Sequence, residues 1–425
     1  MNILLITQYY PPEPGSASIK MSELAQYLAV KGHDVTIVTC FPNYPKGKVY
    51  EGYKVRPLLR ERERVEEKWK RGEGRGGIKI IRVPLYMTSK RRSFKHRILN
   101  HASFMLTAIY GGLLAKKPSL IYFYSPPLFL GLTAWVLKKI YRVPTVAEIN
   151  DLWPHAPIAL GIIKNKIVIR LAEAFERFVY KKTDHLFFYS DTHRQTIVNK
   201  GISQKKTEIH PLWVDTEHFK ESSKGISKRV REEYGLGNKF VVMYAGVIGL
   251  AQGLDVVIEA AGRLRDNPEI LFVLIGDGAE KAKLMEKVKT ERLSDVLFIP
   301  FQPVKEIPKF LSAADVLLAH LAPAPHRLGT IPAKVLAYMS MGRPLLLAAQ
   351  GETADLVKNS GSGLVVEPKN PEQMTKAIIS LYQNRELREV MGTKGRKYAV
   401  SHFDRGKLLE ELEERLIEIG KRETY

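Results

Sequence analysis

Residues 326–346, HRLGTIPAKVLAYMSMGRPLL, set two cations beside a helix start. Arg327 stands two residues before a glycine, and Lys334 follows Pro332 at the opening of a helical run. The first turn of a helix has unsatisfied amides and partial positive charge, so cations there suit a phosphate-bearing ligand. Both side chains are also candidates for stabilising charge on a departing diphosphate. A second segment, YAGVIGLAQGLD at 244–255, follows an apolar run. It places Gly246 and Gly249 where main-chain amides can cradle a diphosphate. No GxxxxGK[ST] occurs, which argues against a nucleotide-hydrolysing P-loop. The turn GDGAE at 276–280 either borders the same ligand through Asp277 or simply reverses the chain. The loop after FQPV at 301–304 offers the backbone around Gln302 and Val304 to a nucleobase. Each segment also has a plainer reading, as surface cations, packing glycines or ordinary turns.

The first half of the chain carries its own polar set. VAEINDLWPHAP holds Glu148, Asp151, Trp153 and His155 after an apolar run. Acidic groups at a strand exit orient a hydroxyl or assist proton transfer, so Glu148 and Asp151 are candidate catalytic residues. Helix capping is the plainer role for Asp151. The N-terminal loop PPEPGSAS brings Gly15 and Ser16 to the head of a helix, where a ligand can approach the backbone. His33, after a helix-ending glycine, is expected to be structural, and His96 and His101 to belong to a surface segment.

These residues need elements to hold them. Runs at 2–7, 34–40, 78–84, 119–127, 143–151, 185–190 and 207–215 read as strands separated by helical periodicity. A second series at 240–246, 269–278, 295–301, 315–321, 344–349 and 363–368 repeats the alternation, and helical segments close the chain. Strand–helix alternation of this kind makes parallel α/β domains. Residues 42–77 are proline-rich and then strongly charged; RERERVEEKWKRGEGRGG at 60–77 reads as a solvated excursion between strands, and 216–236 as an interdomain link.

At 425 residues the chain suits two domains rather than one core. Its single cysteine, Cys40, leaves no disulfide framework or cysteine-rich zinc site within one chain. MNILLIT reads directly into a strand, and no secretory leader is expected. The net charge of +21 favours anionic partners. No nucleic acid is expected, because no zinc-finger spacing, RNA-binding aromatic signature or isolated basic arm is present. The charge peaks in KRRSFKHR at 90–97, followed at once by ILNHASFMLTAIYGGLL. That run is too interrupted to span a bilayer. Segment 90–114 is either a contact with an anionic membrane surface or a buried helix with a basic flank.

The stretches QYYPPEPGSASIKMSELAQYLAVKGHDVTIVT, EINDLWP, YAGVIGLAQGLDVVIEAA, IGDGAE, SAADVLLAHL and IPAKVLAYMSMGRPLL together resemble family-4 retaining glycosyltransferases of the GT-B fold. Within that family the chain is most similar to the fucosamine-type transferases of bacterial surface-polysaccharide synthesis. The resemblance covers nearly the whole chain. It implies two Rossmann-like domains facing across a cleft, the first (1–215) binding the acceptor and the second (216–399) the nucleotide sugar. Residues 400–425 would then form a C-terminal helix crossing back to the first domain. It further implies a UDP-linked donor, an N-acetylated amino or deoxy sugar, and no catalytic metal or prosthetic group. The acceptor would be a polyprenyl-diphosphate-linked saccharide at the inner face of the cell membrane, as in lipopolysaccharide or capsule synthesis. Anomeric configuration would be retained, with the departing phosphate taking the acceptor proton. The sequence departs from the family pattern in places. The two glutamates of the E-x7-E motif are Gly329 and Ala337, and the usual arginine and lysine of the glycine loop are Val247 and Gln252. Lys334 and Arg327 are then the cations left to meet the diphosphate. A nucleotide-sugar epimerase and a non-catalytic sugar- or nucleic-acid-binding protein on the same scaffold are the alternatives.

Overall fold

The computed structural model of the chain describes residues 1–64, 76–89, 93–324 and 327–421. It divides into two units, the first comprising Met1–His210 with Leu409–Tyr425, the second Pro211–Leu408. The division falls after His210, and the chain returns to the first unit at Leu409.

The first unit runs β1 (Asn2–Ile6), α1 (Ser16–Val30), β2 (Asp34–Cys40), β3 (Leu59–Glu63), β4 (Ile78–Val83), α2 (Phe94–Leu113), β5 (Leu120–Ser125) and α3 (Leu130–Tyr141). It continues with β6 (Thr145–Ile149), α4 (His155–Ala159), α5 (Lys166–Lys182), β7 (His185–Phe188), α6 (Asp191–Asn199) and β8 (Thr207–Ile209). The sheet order is β3-β4-β2-β1-β5-β6-β7-β8. All pairings are parallel except β3 against β4. The strands are apolar throughout because both faces are covered. One face packs α2, α3 and α5 around Phe104, Leu137 and Val179. The order of the strands reverses between β1 and β5, where ligands of such sheets bind.

The strand β3 corrects the start of the run 60–77 read as a solvated excursion. Its sequence, LRERE, is charged, yet it pairs with β4 as the sheet edge. The cause is electrostatic. Arg82 on β4 is only 2% exposed, and its Nε lies 2.7 Å from Glu61 Oε2. Glu63 accepts from the buried Tyr10 hydroxyl at 2.6 Å. Residues 65–75 of that excursion lie outside the described residues, as do Lys90–Arg92 of the basic run. The expected strand 207–215 shortens to Thr207–Ile209, since the chain enters the second unit at Pro211.

The second unit runs α7 (Lys224–Glu233), β9 (Phe240–Ala245), α8 (Asp255–Arg263), β10 (Ile270–Ile275), α9 (Lys281–Thr290), β11 (Val296–Ile299), α10 (Ile307–Ser312) and β12 (Val316–His320). Then come α11 (Ala333–Ser340), β13 (Leu345–Ala348), α12 (Glu352–Ser360), β14 (Gly363–Val366), α13 (Pro371–Gln383), α14 (Arg385–His402) and α15 (Arg405–Lys421). Its sheet, β11-β10-β9-β12-β13-β14, is wholly parallel and reverses between β9 and β12. Segment 216–236 is no free link. It contains α7, and Val230 and Leu236 are part of this unit's core.

From Leu409 onward α15 is packed in the first unit. Leu409, Leu412 and Leu416 are buried. His33 Nε2 meets Glu413 Oε1 at 2.9 Å, and Arg415 Nε donates to Glu208 Oε2 at 2.7 Å. His33 is structural, as expected. The fold class is therefore α/β with two parallel sheets and a C-terminal helix carried back to the first.

Candidate active site

Every expected site residue of the second unit follows the carboxyl end of a strand. Gly246 and Gly249 follow β9, Asp277 follows β10, Gln302 and Val304 follow β11, and Arg327 and Lys334 lie between β12 and the first turn of α11. Gly246 has φ 146°, and a Cβ there would sit 2.5 Å from Lys334 Nζ. Gly276, at φ 143°, lies against the carbonyl of Gly246, which a Cβ would strike at 1.9 Å. The two loops are laced together by Gly246 N–H to Ile275 O (2.9 Å) and Ile248 N–H to Asp277 O (2.8 Å).

Lys334 is aimed at this loop. Its Nζ donates to the Tyr244 hydroxyl at 2.7 Å and sits 4.0 Å from the centre of that ring. The Tyr244 hydroxyl in turn donates to Val247 O at 2.6 Å. Among the described residues no carboxylate pairs with Lys334. Burial without a counter-charge pushes its ammonium down to about 7. The ammonium stands beside the glycine loop at the point where the sheet order reverses.

Arg327 is bonded to main-chain carbonyls. Its Nη1 donates to Ala251 O (3.1 Å) and Ala322 O (3.3 Å), so it fastens the glycine loop to the chain after β12. His326 lies outside the described residues. The Asp277 carboxylate accepts from Gly278 N–H at 2.8 Å, closing its turn. Gln302 Nε2 reaches Pro300 O at 3.3 Å, and the Val304 carbonyl accepts from His218 Nε2 at 3.2 Å. The Val304 side chain is exposed. Nothing in the backbone geometry at Gly249 requires a glycine.

In the first unit the structure separates the two acidic candidates. Glu148 is fully buried. Tyr122 donates to its Oε2, Tyr189 to its Oε1, and Lys20 of α1 ion-pairs with it. Burial pushes Lys20 down to about 8 even against this partner. Glu148 therefore cannot orient an acceptor as expected. Its place in β6 points it at α1, and it is a buried anchor. Asp151, two residues past β6, is exposed. Gly15 caps α1 at φ 127° with nothing within 4 Å of a Cβ, and Ser16 is exposed beside it.

A polar and aromatic pocket that sequence reasoning missed lies at the strand exits of this unit. A cavity of about 240 Å³ is lined by Tyr9, Tyr44, Thr88, Arg97, Asn100 and His101. Tyr9 and Tyr44 meet edge to face at 5.6 Å. The Asn100 amide donates to Tyr86 O at 2.7 Å, which turns its Oδ1 toward Gln8 Nε2 (2.7 Å). Gln8 Oε1 then faces His101 Nδ1 at 2.8 Å, so Nδ1 carries the proton. In the neutral ring Nε2 is the accepting atom. His101 also stacks on Phe129, which contacts Trp153. The expectation of His101 as a mere surface residue is corrected. The spacing 97, 100, 101, 104 on one helix face was the available signal.

Helix α2 buries one face and exposes the other. Phe104, Ala108 and Gly111 are buried on the sheet side and Gly112 lies against Leu137 of α3, while Leu99, Leu106, Tyr110 and Leu113 are exposed. No described helix is long and apolar enough to cross a membrane. Among the described residues no three His, Cys, Asp or Glu side chains gather as a metal site.

Residues 17–213 match the family described as "Glycosyl transferase 4-like domain", and residues 227–398 the one described as "Glycosyl transferases group 1". A protein of Escherichia coli (strain K12) named for colanic acid biosynthesis, the glycosyl transferase WcaI, is 27% identical over 420 residues, covering 96% of this chain and 98% of its own. The Anabaena Alr3699/HepE structure in complex with UDP superposes with a TM-score of 0.71 at 16% identity, covering 98% of this chain and all of that one. The structure of WaaG, a glycosyltransferase of lipopolysaccharide biosynthesis, gives 0.67 at 17% identity, covering 97% and 99%.

Proposed function

Because the chain is a glycosyltransferase of the GT-B fold, related to the group 1 and 4-like transferases, we propose that it moves a sugar from a UDP-sugar to a saccharide acceptor. The observation that carries the donor half is Lys334, an ammonium without a carboxylate partner beside the Gly246 loop. A diphosphate supplies the missing negative charge, and the amides of the loop add donors. Arg327 positions that loop. As the diphosphate leaves, Lys334 stabilises the charge that develops on it. The UDP-bound relative of similar fold supports uridine as the nucleoside. The donor sugar is an N-acetylated amino or deoxy sugar, transferred with retention, the phosphate taking the acceptor proton. Asp151, exposed at the exit of β6, is the group that orients the acceptor hydroxyl.

The acceptor is lipid-linked and met at the inner membrane face in surface-polysaccharide synthesis. The exposed Leu99, Leu106, Tyr110 and Leu113 of α2 support this, since apolar side chains beside a basic run suit an anionic bilayer surface. The WcaI and WaaG names support the pathway class.

Titration calorimetry with UDP tests the donor half. Wild-type chain binds UDP, and Lys334→Ala weakens it at least tenfold; equal affinity in the variant refutes the reading. Co-sedimentation with phosphatidylglycerol vesicles tests the membrane half. Binding drops several-fold in a Leu99→Ser, Leu106→Ser double variant, and no binding by wild type removes this part.

A further inference from the structure

The glycine loop of the second unit is gripped by a histidine that the donor reading does not use. His320 closes β12 and is only 1% exposed. Its Nδ1 lies 2.5 Å from Gln252 O, and its Nε2 lies 2.6 Å from Pro368 O. Gln252 belongs to the glycine loop, and Pro368 to the segment after β14. The ring thus ties two strand exits together. Gly253, at φ 59°, turns the chain beside it, and a Cβ there would sit 3.3 Å from the ring's Cε1. Arg327 holds the preceding carbonyl, Ala251 O, from the chain after β12.

Both partners of this ring are carbonyl oxygens, which only accept. A neutral imidazole has one N–H, so at these distances its other nitrogen would set a lone pair against an oxygen. The closed arrangement therefore belongs to the imidazolium, and in the neutral ring one carbonyl swings away. The charged groups around the ring are Asp255 at the head of α8, Arg327, and Glu367 and Lys369, which flank Pro368. Burial moves the imidazole below its ordinary 6.5, against the two carbonyls and Asp255, which raise it. A trans peptide points its C=O and N–H in opposite directions. Holding Gln252 O against the ring therefore aims Gly253 N–H away from it, at the head of α8, where the helix end is partially positive.

We infer that His320 is a positioning residue of the donor site. Its imidazolium form fastens the Gly249–Gly253 limb to the segment after β14, and arrival of a diphosphate at that loop draws a proton from solvent onto the ring. The inference rests on the donor reading above, and adds to it a residue that acts through the loop. The two cationic groups govern different ranges: Lys334 exchanges its proton above pH 7, His320 on the acid side.

Two measurements on the full chain test it. His320→Asn keeps a donor near the Nδ1 position and His320→Gln one near the Nε2 position, and neither side chain carries a charge. UDP affinity of each variant is compared with wild type by titration calorimetry at each pH, so that titration of UDP itself cancels in the ratio. At about pH 5.5 both variants bind UDP at least tenfold more weakly than wild type, and at about pH 8 the gap shrinks below threefold. In the second measurement, NMR of 15N-histidine-labelled wild type follows the His320 ring, assigned through its own Cβ, so this arm needs no variant to fold. Both ring nitrogens carry protons when UDP is bound at about pH 5.5. A ratio that stays constant with pH leaves His320 a packing role and overturns the inference. So does wild-type affinity in both variants, or a single protonated nitrogen in the UDP-bound ring. A chain that binds UDP with a flat ratio refutes the clamp and leaves the donor reading standing. One that binds no UDP at any pH refutes the donor reading, and the inference falls with it.

Discussion

Lys334 has a pH signature that an ordinary lysine lacks. Its ammonium is pushed down to about 7, while the unfolded chain keeps the usual value near 10.5. Between those values the unfolded chain holds more protons, so this residue makes stability rise with pH across that window. Below pH 7 both states are charged, and the full cost of the buried ammonium is present. A bound diphosphate favours the charged form. UDP binding above pH 7 therefore takes up a proton, and affinity falls as pH climbs from 7 toward 10. Calorimetry in buffers of different ionisation enthalpy measures that proton, and Lys334→Met abolishes it. The same substitution removes an unpaired buried charge and raises stability by about 1 kcal/mol, or about 2–4 °C for a unit of this size. A lower melting temperature in Lys334→Met contradicts this account. Glu148 behaves oppositely. Glu148→Ala leaves Lys20 and the Tyr122 and Tyr189 hydroxyls without their acceptor and costs about 3–5 kcal/mol, read by denaturant unfolding.

At the scale of elements, the apolar strands and their order along the chain were legible, because a buried parallel strand is a continuous apolar run flanked by helical periodicity. The strand β3 was not. Its residues are charged, and only the partners Arg82 and Tyr10, brought up from elsewhere in the chain, make a strand of them. The glycine loops were legible as loops, but not the interlock that makes Gly276 obligatory. Gly276→Ala would drive a Cβ into Gly246 O at a φ of 143°, so it destabilises the second unit by at least about 2 kcal/mol and weakens UDP binding. Gly249→Ala, with no positive φ and a nearest contact of 3.3 Å, stays within about 1 kcal/mol of wild type. Paired urea melts and UDP titrations separate the two, and similar losses at both positions would show that the interlock is not what the loop requires.

For the molecule as a whole, the return of the chain at 409 ties the last helix to the first unit. Ending the chain after Leu408 strips Leu409, Leu412, Leu416 and Ile419 from that core and removes the Arg415–Glu208 and Glu413–His33 pairs. Calorimetry is then expected to show the first unit's transition lowered by at least 10 °C or lost, with the second unit's UDP affinity retained. An unchanged first transition would contradict the packing. The +21 charge is a property of the whole chain, but its consequence is local. It concentrates where acid is absent, around α2 and the neighbouring pocket.

From the sequence alone came the two α/β series, the glycine loops at their strand ends and the cations near 327–334, because local pattern and loop chemistry act over a few residues. Tertiary structure alone decided that Glu148 faces inward against Lys20 while Asp151 faces solvent, that Arg327 holds a loop, and that α2 is half core and half exposed. It also brought Tyr9, Tyr44, Arg97 and His101, which are scattered over 93 positions, into one cavity. Burial and convergence depend on which strands lie side by side, and that is set by packing over the whole sheet, which no short window of sequence contains.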